Sequence, residues 1–412
     1  MQSLRFFYST FVIRMNSNLT SKKHILPIIV IAQFCCTSLW FAGNGIIGDL
    51  ASAFDLQSTA VGDLTASVQF GFISGTLLFA FLTIADRFKP SVVFFGSGIL
   101  ASVFNLGILL ESNTLLSLIT FRFFTGFFLA GIYPIGMKIA ADYYEKGLGK
   151  ALGFLVGALV IGTAFPHLLK SVTSNLPWKT VLFGTSGLSI LGGALMLLFV
   201  PPGPFRKSSQ KLDVSAFLSV FKSSNFRAAA FGYFGHMWEL YAFWAFVPFI
   251  IDYYKNNHGI STMNTSLISF LIIGIGGLSC VLSGILSLQF DTKKVAGTFL
   301  GLSGICCLLS PIVFQFENEY LFLLFLLIWG VVVIGDSPLF SSLVAKNAET
   351  QIKGTALTIV NCIGFAITII SIQLLNYLKE SIQVELLFMI LVVGPVFGLI
   401  ALFSAKTKAI SN

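Results

Sequence analysis

The sequence predicts an all-α membrane protein, with twelve transmembrane helices in two pseudo-symmetric six-helix bundles. Three observations carry this expectation. The 412 residues are 56% hydrophobic and only 10% charged, with 38 glycines and 44 phenylalanines, too few charges to cover a soluble domain of this size. The apolar runs are long and continuous rather than alternating, which favours helices over a membrane barrel, because hydrocarbon requires each backbone polar group to be satisfied within its own helix or a closed sheet. One polar stretch, Pro201 to Asn225, then divides the runs into equal sets.

With about 20 apolar residues for a crossing, the first six spans fall near 25–47, 64–85, 91–110, 115–141, 151–169 and 180–200. The second six fall near 228–251, 267–290, 295–316, 320–345, 355–376 and 386–404. The organisation expected is an N-terminal segment 1–24, a bundle 25–200, a linker 201–226, a second bundle 227–405 and a tail 406–412. The linker opens with a Pro-Pro-Gly-Pro run and carries Arg206, Lys207, Lys211 and Lys222, a natural boundary. Phe6 to Ile13 is bracketed by Arg5 and Arg14 and has no cleavage site, so no signal peptide is expected, and Met15 is a candidate true start.

Charge placement gives sidedness. With the N-terminus inside, nineteen lysines and arginines fall in inner segments against four outside (Lys170, Lys179, Lys255 and Lys379), and Arg122 and Lys138 lie within spans. This asymmetry places both termini in the cytoplasm. The net charge of +8 therefore marks topology and not a nucleic-acid partner. All six cysteines fall in spans, where they read as small packing residues. A bacterial inner membrane is the expected location, and a monomer the expected state.

An internal repeat has one offset. Gly131-Ile-Tyr-Pro134 is echoed by Gly335-Asp-Ser-Pro338 at 335 − 131 = 204, Trp40 by Trp244 at 204 and Asp86 by Asp291 at 205. The buried charges do not repeat: Glu239 maps to Cys35, His236 to Ala32, Asp336 to Ile132 and Arg122 to Leu326. The scaffold is duplicated, and the charges are fitted to a task.

His236 and Glu239 sit three apart in the apolar stretch Phe231 to Pro248, on one helix face. An ionisable group at membrane depth is costly and points to a cavity or a function, which favours a working role for Glu239. For His236 a role and a static helix–helix bond are equally open. Asp336 and Glu239 both come out near mid-bilayer by helical rise, and Arg122 lies too deep in span 4 to be a loop charge. Lys138 points away from Arg122 and stands one turn before Asp142, so snorkelling or a bond to Asp142 is expected.

Ala85-Asp86-Arg87-Phe88-Lys89, Arg122-Phe-Phe-Thr-Gly126 and the twelve-span layout resemble the major facilitator superfamily of secondary transporters. The loop motif departs from the family pattern at Leu82 and Lys89. The resemblance implies a conformational latch of Asp86, Arg87 and Asp142, with the aspartate directed toward span 11 and the arginine paired to the acid. It also implies a part for Arg122 in proton coupling and a cavity lined by spans 1, 4, 7 and 10. Trp40, Asn44, Tyr133, Trp238, Tyr241 and Trp244 are candidate cavity residues on those spans, although aromatics in spans more often pack or anchor.

No P-loop, HExxH or GxSxG is present, and the isolated His236/Glu239 pair lacks the further ligands of a metal site. The expectation is therefore a permease, not an enzyme, without cofactor or metal. It would move a small polar or anionic solute by alternating access, with protons as driving ion and Arg122, His236, Glu239 and Asp336 as the coupling or substrate residues. A ligand sensor on the same fold and multidrug efflux are the alternatives. The glycine pattern from Gly157 to Pro166 departs from that of drug–proton antiporters, which weakens the second.

Overall fold

The structure is a computed structural model that describes residues 24–144, 148–206, 220–349 and 352–404. The expected N-terminal segment and its Met15, most of the linker and the tail lie outside the described residues.

Eleven stretches are long and apolar enough to cross a membrane, and the shorter apolar helix α1 (Ile25–Thr37) makes the twelfth. After α1 the chain unwinds through residues 38–43, makes a 3-10 turn Asn44–Ile46 and resumes as α2 (Ile47–Phe54). The second and third crossings are α3 (Ala60–Phe81) and α5 (Pro90–Gly107), joined through the short α4 (Ile84–Arg87). The fourth is split into α6 (Leu115–Leu129) and α7 (Tyr133–Tyr143), and α8 (Leu148–Val172) and α9 (Lys179–Phe199) close the first half.

The second half begins with α10 (Ser224–His258), whose 35 residues run about 52 Å at 1.5 Å per residue. That exceeds a hydrocarbon core of about 30 Å. Ser223 caps its start and Gly259, at φ +65, its end. The eighth crossing is α11 (Thr265–Gly274) and α12 (Gly276–Gln289), the ninth α13 (Thr292–Val313). The tenth is split into α14 (Glu319–Val332) and α15 (Ser337–Asn347), the eleventh is α16 (Lys353–Leu378), and the last runs from α17 (Val384–Leu387) through a 3-10 turn to α18 (Val393–Ser404).

Breaks that a hydropathy window reads as continuous have local causes. Pro134 and Pro338 lack the N–H that would continue the preceding helix, and each stands in the first turn of a new one. The glycines before them, Gly131 and Gly335, sit where an added Cβ would collide with Ser97 and Phe79 in one half and Phe299 and Ser279 in the other. The two halves thus break the same crossing at the same register. They diverge in their first crossings, since α1 is interrupted while its counterpart α10 runs through.

Outward-facing residues such as Leu116, Phe183, Leu278, Ile305 and Ile400 are more than 40% exposed, forming an apolar exterior suited to lipid. Between the halves, α3 packs on α16 and α8 on α11 and α12. The hydrogen bonds joining the halves among the described residues gather at the lysine-poor end. Gln373 donates to Asp63 at 3.2 Å, Asn376 to the Thr59 carbonyl at 2.9 Å, Lys379 to the Ser58 carbonyl at 2.5 Å and Asn264 to Ser171 at 3.0 Å.

Candidate functional site

Glu239 is 1% exposed in the middle of α10 and turns into the C-terminal bundle. Its Oε1 accepts the indole N–H of Trp329 at 2.7 Å, and its Oε2 accepts the Ser303 hydroxyl at 2.8 Å. Both donors are neutral, so the carboxyl is held without a salt bridge. One helical turn away, His236 Nδ1 lies 2.7 Å from Asp336 Oδ1, both side chains 1% exposed. Asp336 stands just before α15, at the break of the tenth crossing, and despite the short Nδ1–Oδ1 separation neither ring nitrogen of His236 nor either carboxylate oxygen of Asp336 makes a well-aligned hydrogen bond within the protein. The three residues meet on facing sides of α10 and the split tenth crossing, as the i, i+3 spacing of His236 and Glu239 allows.

Arg122, wholly buried on α6, has no carboxylate among its partners in the described residues. Its guanidinium donates from Nη1 to the Leu39 carbonyl at 3.1 Å and to Asn105 Oδ1 at 3.4 Å, and from Nη2 to the Trp40 carbonyl. Those carbonyls belong to the unwound stretch after α1, where helical pairing is lost and the Leu39 carbonyl keeps only a 3.4 Å bond from the Ala42 N–H. Arg122 therefore closes the break in the first crossing and does not lie beside Glu239 or Asp336.

An aromatic cluster spans the two bundles. Trp40 stacks at 6.0 Å on Tyr241 and 5.7 Å on Phe365 and packs at 4.8 Å on Phe72, while Phe41 meets Trp244 edge-on at 6.4 Å. Asn44 is spent on a 2.7 Å bond to Thr65. Tyr133 is half-buried at the start of α7, within electrostatic reach of Cys280 in the other half. Trp238 leaves the group: it lies against Gly394 of α18, because a residue two past His236 points about 200° away on the helix.

Sequence reasoning passed over four neutral residues. Gln33, Gln69, Thr163 and His167 are no more than 2% exposed, and polar side-chain atoms of each lack a partner in the protein. Neutral polar residues barely disturb a hydropathy profile. The signal available was their spacing, with Thr163 and His167 at i, i+4 and Gln33 seven residues before Trp40. Among the described residues no three His, Cys, Asp or Glu side chains gather as a metal ion would need.

The model of the Major Facilitator Superfamily matches residues 29–372. The chain belongs to that superfamily. This transporter also shares its fold with the solved proton:xylose symporter XylE bound to 6-bromo-6-deoxy-D-glucose, at a TM-score of 0.73 and 14% identity, over 94% of this chain and 96% of that one. No curated protein matches it in sequence. In all, 309 chains of solved structures match, so the scaffold is widely used and does not by itself specify a solute.

The latch region differs from what the resemblance implies. Lys138, and not Arg87, forms the ion pair, with Asp86. Arg206 from the start of the linker donates to the Phe88 carbonyl at 3.1 Å and to that of Asp86 at 3.4 Å. Arg87 is exposed. Asp142 packs against Gly203, and its carbonyl accepts the Phe205 N–H at 3.0 Å. Lys138 reaches Asp86 because it lies a turn above Asp142 on α7, facing α4. The transporter thus ties its linker to the fourth crossing on the lysine-rich side, within one half.

Proposed function

We propose that this secondary transporter moves a small polar organic solute by alternating access, coupled to protons that bind and leave at Asp336 and Glu239. The positive-inside asymmetry supports a cell-membrane orientation with both termini cytoplasmic. The bonds that Gln373 and Asn376 of α16, and Lys379 just beyond it, donate to Asp63, Thr59 and Ser58 then close the outer side.

The observation that carries the coupling is the His236–Asp336 contact at 2.7 Å beside the break of the tenth crossing. A proton on Asp336 removes the negative charge that faces His236 Nδ1 and with it the favourable interaction of an anion with the N-terminus of α15. Charge change therefore acts on a segment already interrupted, where a small rearrangement can be passed to the whole crossing. Glu239, bonded to neutral donors, can change charge without breaking an ion pair. Arg122 serves the first crossing, so recognition of an anionic group is not assigned to it. A scaffold like this one also carries a proton:xylose symporter, which agrees with proton coupling.

Flux in proteoliposomes under a pH gradient tests the proposal. Solute accumulation should follow the gradient and be lost in Asp336→Asn, while exchange of solute across the membrane at equal pH persists. Gradient-driven accumulation that survives in both Asp336→Asn and Glu239→Gln overturns it.

A further inference from the structure

Taking the transport reading as its basis, we infer that Gln33, Gln69, Thr163 and His167, framed by Trp40 and Trp244, form a binding site for a neutral polyhydroxylated solute.

Placement comes first. Trp40 is fixed at the junction of the two halves by its stacking on Tyr241 and Phe365. Gln33 lies on α1 seven residues before it, its amide oxygen over Gly136 of α7. Gln69 is one turn from Phe72 on α3, and Phe72 packs on Trp40 at 4.8 Å. On α8, Gly162 faces Thr37 and Phe165 packs on Phe34 of α1, while Gly157 and Ile161 face Gly277 of α12. Thr163 and His167 share a third face, turned to neither neighbour, yet are 0% and 2% exposed. Gly45 rests on Pro166, which sets this part of α8 level with the unwound stretch that holds Trp40.

Chemistry follows. Both amide atoms of Gln33 and of Gln69, the Thr163 hydroxyl, His167 Nε2 and the indole nitrogens of Trp40 and Trp244 are buried without a partner in the protein. A buried polar group left unpaired is costly, and this many, mostly in the first half with Trp244 of α10 added from the second, is not a packing solution. Amides, a hydroxyl and imidazole offer donors and acceptors together, and the aromatic faces suit the apolar faces of a sugar-like ring or polyol. A carboxylate would need a cation free to meet it, and Arg122 spends both Nη atoms on the Leu39 and Trp40 carbonyls and Asn105, leaving only Nε, which lies against Gly43. A lipophilic cation would leave every one of these amides unpaired.

The test uses the purified full-length transporter, tryptophan fluorescence and thermal unfolding, with glucose, sorbitol and inositol against lactate and tetraphenylphosphonium. A polyol is expected to change the fluorescence and raise Tm, with affinity at least tenfold weaker in Gln33→Met and Gln69→Met. Without ligand, both variants should unfold at higher temperature than the parent, since each removes an unpaired buried amide. A structural glutamine would give the reverse. Binding of only lactate or tetraphenylphosphonium, no polyol binding at all, or Gln→Met variants that bind polyol as the parent does overturns the inference. Polyol that binds but is not moved in proteoliposomes sinks the transport reading and leaves the site standing.

Discussion

Gln373 on α16 donates to Asp63 on α3 at 3.2 Å, and three residues further along α16 Asn376 reaches the Thr59 carbonyl at 2.9 Å. These side chains fasten one half of the molecule to the other where the crossings begin and end. Gly62 lies directly beneath the Asn376 side chain, with no room for a Cβ. The fastening therefore depends on a bare backbone as well as on bonds.

Each such bond is worth about 1 kcal/mol net, or roughly a fivefold change in an equilibrium. Asp63→Ala should shift the closed-to-open ratio of this end about fivefold toward open, and Gly62→Leu should shift it further by wedging the helices. Single-molecule energy transfer between dyes on Asp55→Cys and Ser381→Cys reads the ratio. Unchanged distance populations in Gly62→Leu would show that these helices do not form the gate.

Lys379 makes the same end sensitive to alkaline pH. Burial holds its ammonium below the ordinary lysine value of 10.5, while Glu380 and Asp63 act in the opposite sense. In an opened gate the side chain returns to water and the ordinary value. The closed state therefore bears the cost of a buried charge at all pH values below the lowered pKa. That cost is lifted as pH rises from the lowered value toward 10.5, so the closed fraction should grow across that window. The same dye pair should report the growth, and Lys379→Met should flatten it.

The crossings were legible because hydrocarbon imposes length and apolarity on every one of them. The paired breaks were legible too, as Gly131-x-x-Pro134 and Gly335-x-x-Pro338 at one offset. Partners were not. Nothing near Arg122 in sequence points to the carbonyls of Leu39 and Trp40, more than 80 residues away, since the acceptor is backbone and any residue supplies it. The Asp86–Lys138 pair was hidden for a related reason: Arg87 adjoins the acid in sequence, but the short α4 leaves it facing solvent. Gln33 and Gln69 were overlooked because an uncharged side chain in a span looks like packing until its lack of partners is seen.

Arg122 allows charge and geometry to be separated. Arg122→Met removes the donors and the buried charge together, whereas Arg122→Lys keeps the charge but cannot bridge two adjacent carbonyls with a planar fork. Both should lower stability by about 1–3 kcal/mol, with lysine no better than methionine, and both should speed hydrogen exchange across residues 38–46. Full stability in Arg122→Lys would mean that charge alone is required there.

Glu239 separates folding from coupling. In Glu239→Gln the amide oxygen still accepts from Trp329, and the Ser303 hydroxyl, which also donates to the Leu300 carbonyl at 3.0 Å, can turn to accept the new N–H. Stability should stay within about 1 kcal/mol of the parent. Glu239→Leu instead strands the Trp329 N–H and should cost about 1–3 kcal/mol, visible as a lower Tm in detergent. Both variants should lose pH-driven accumulation, because neither side chain titrates. A Glu239→Gln protein that unfolds as readily as Glu239→Leu would assign the residue to packing, and its transport defect would then carry no information about protons.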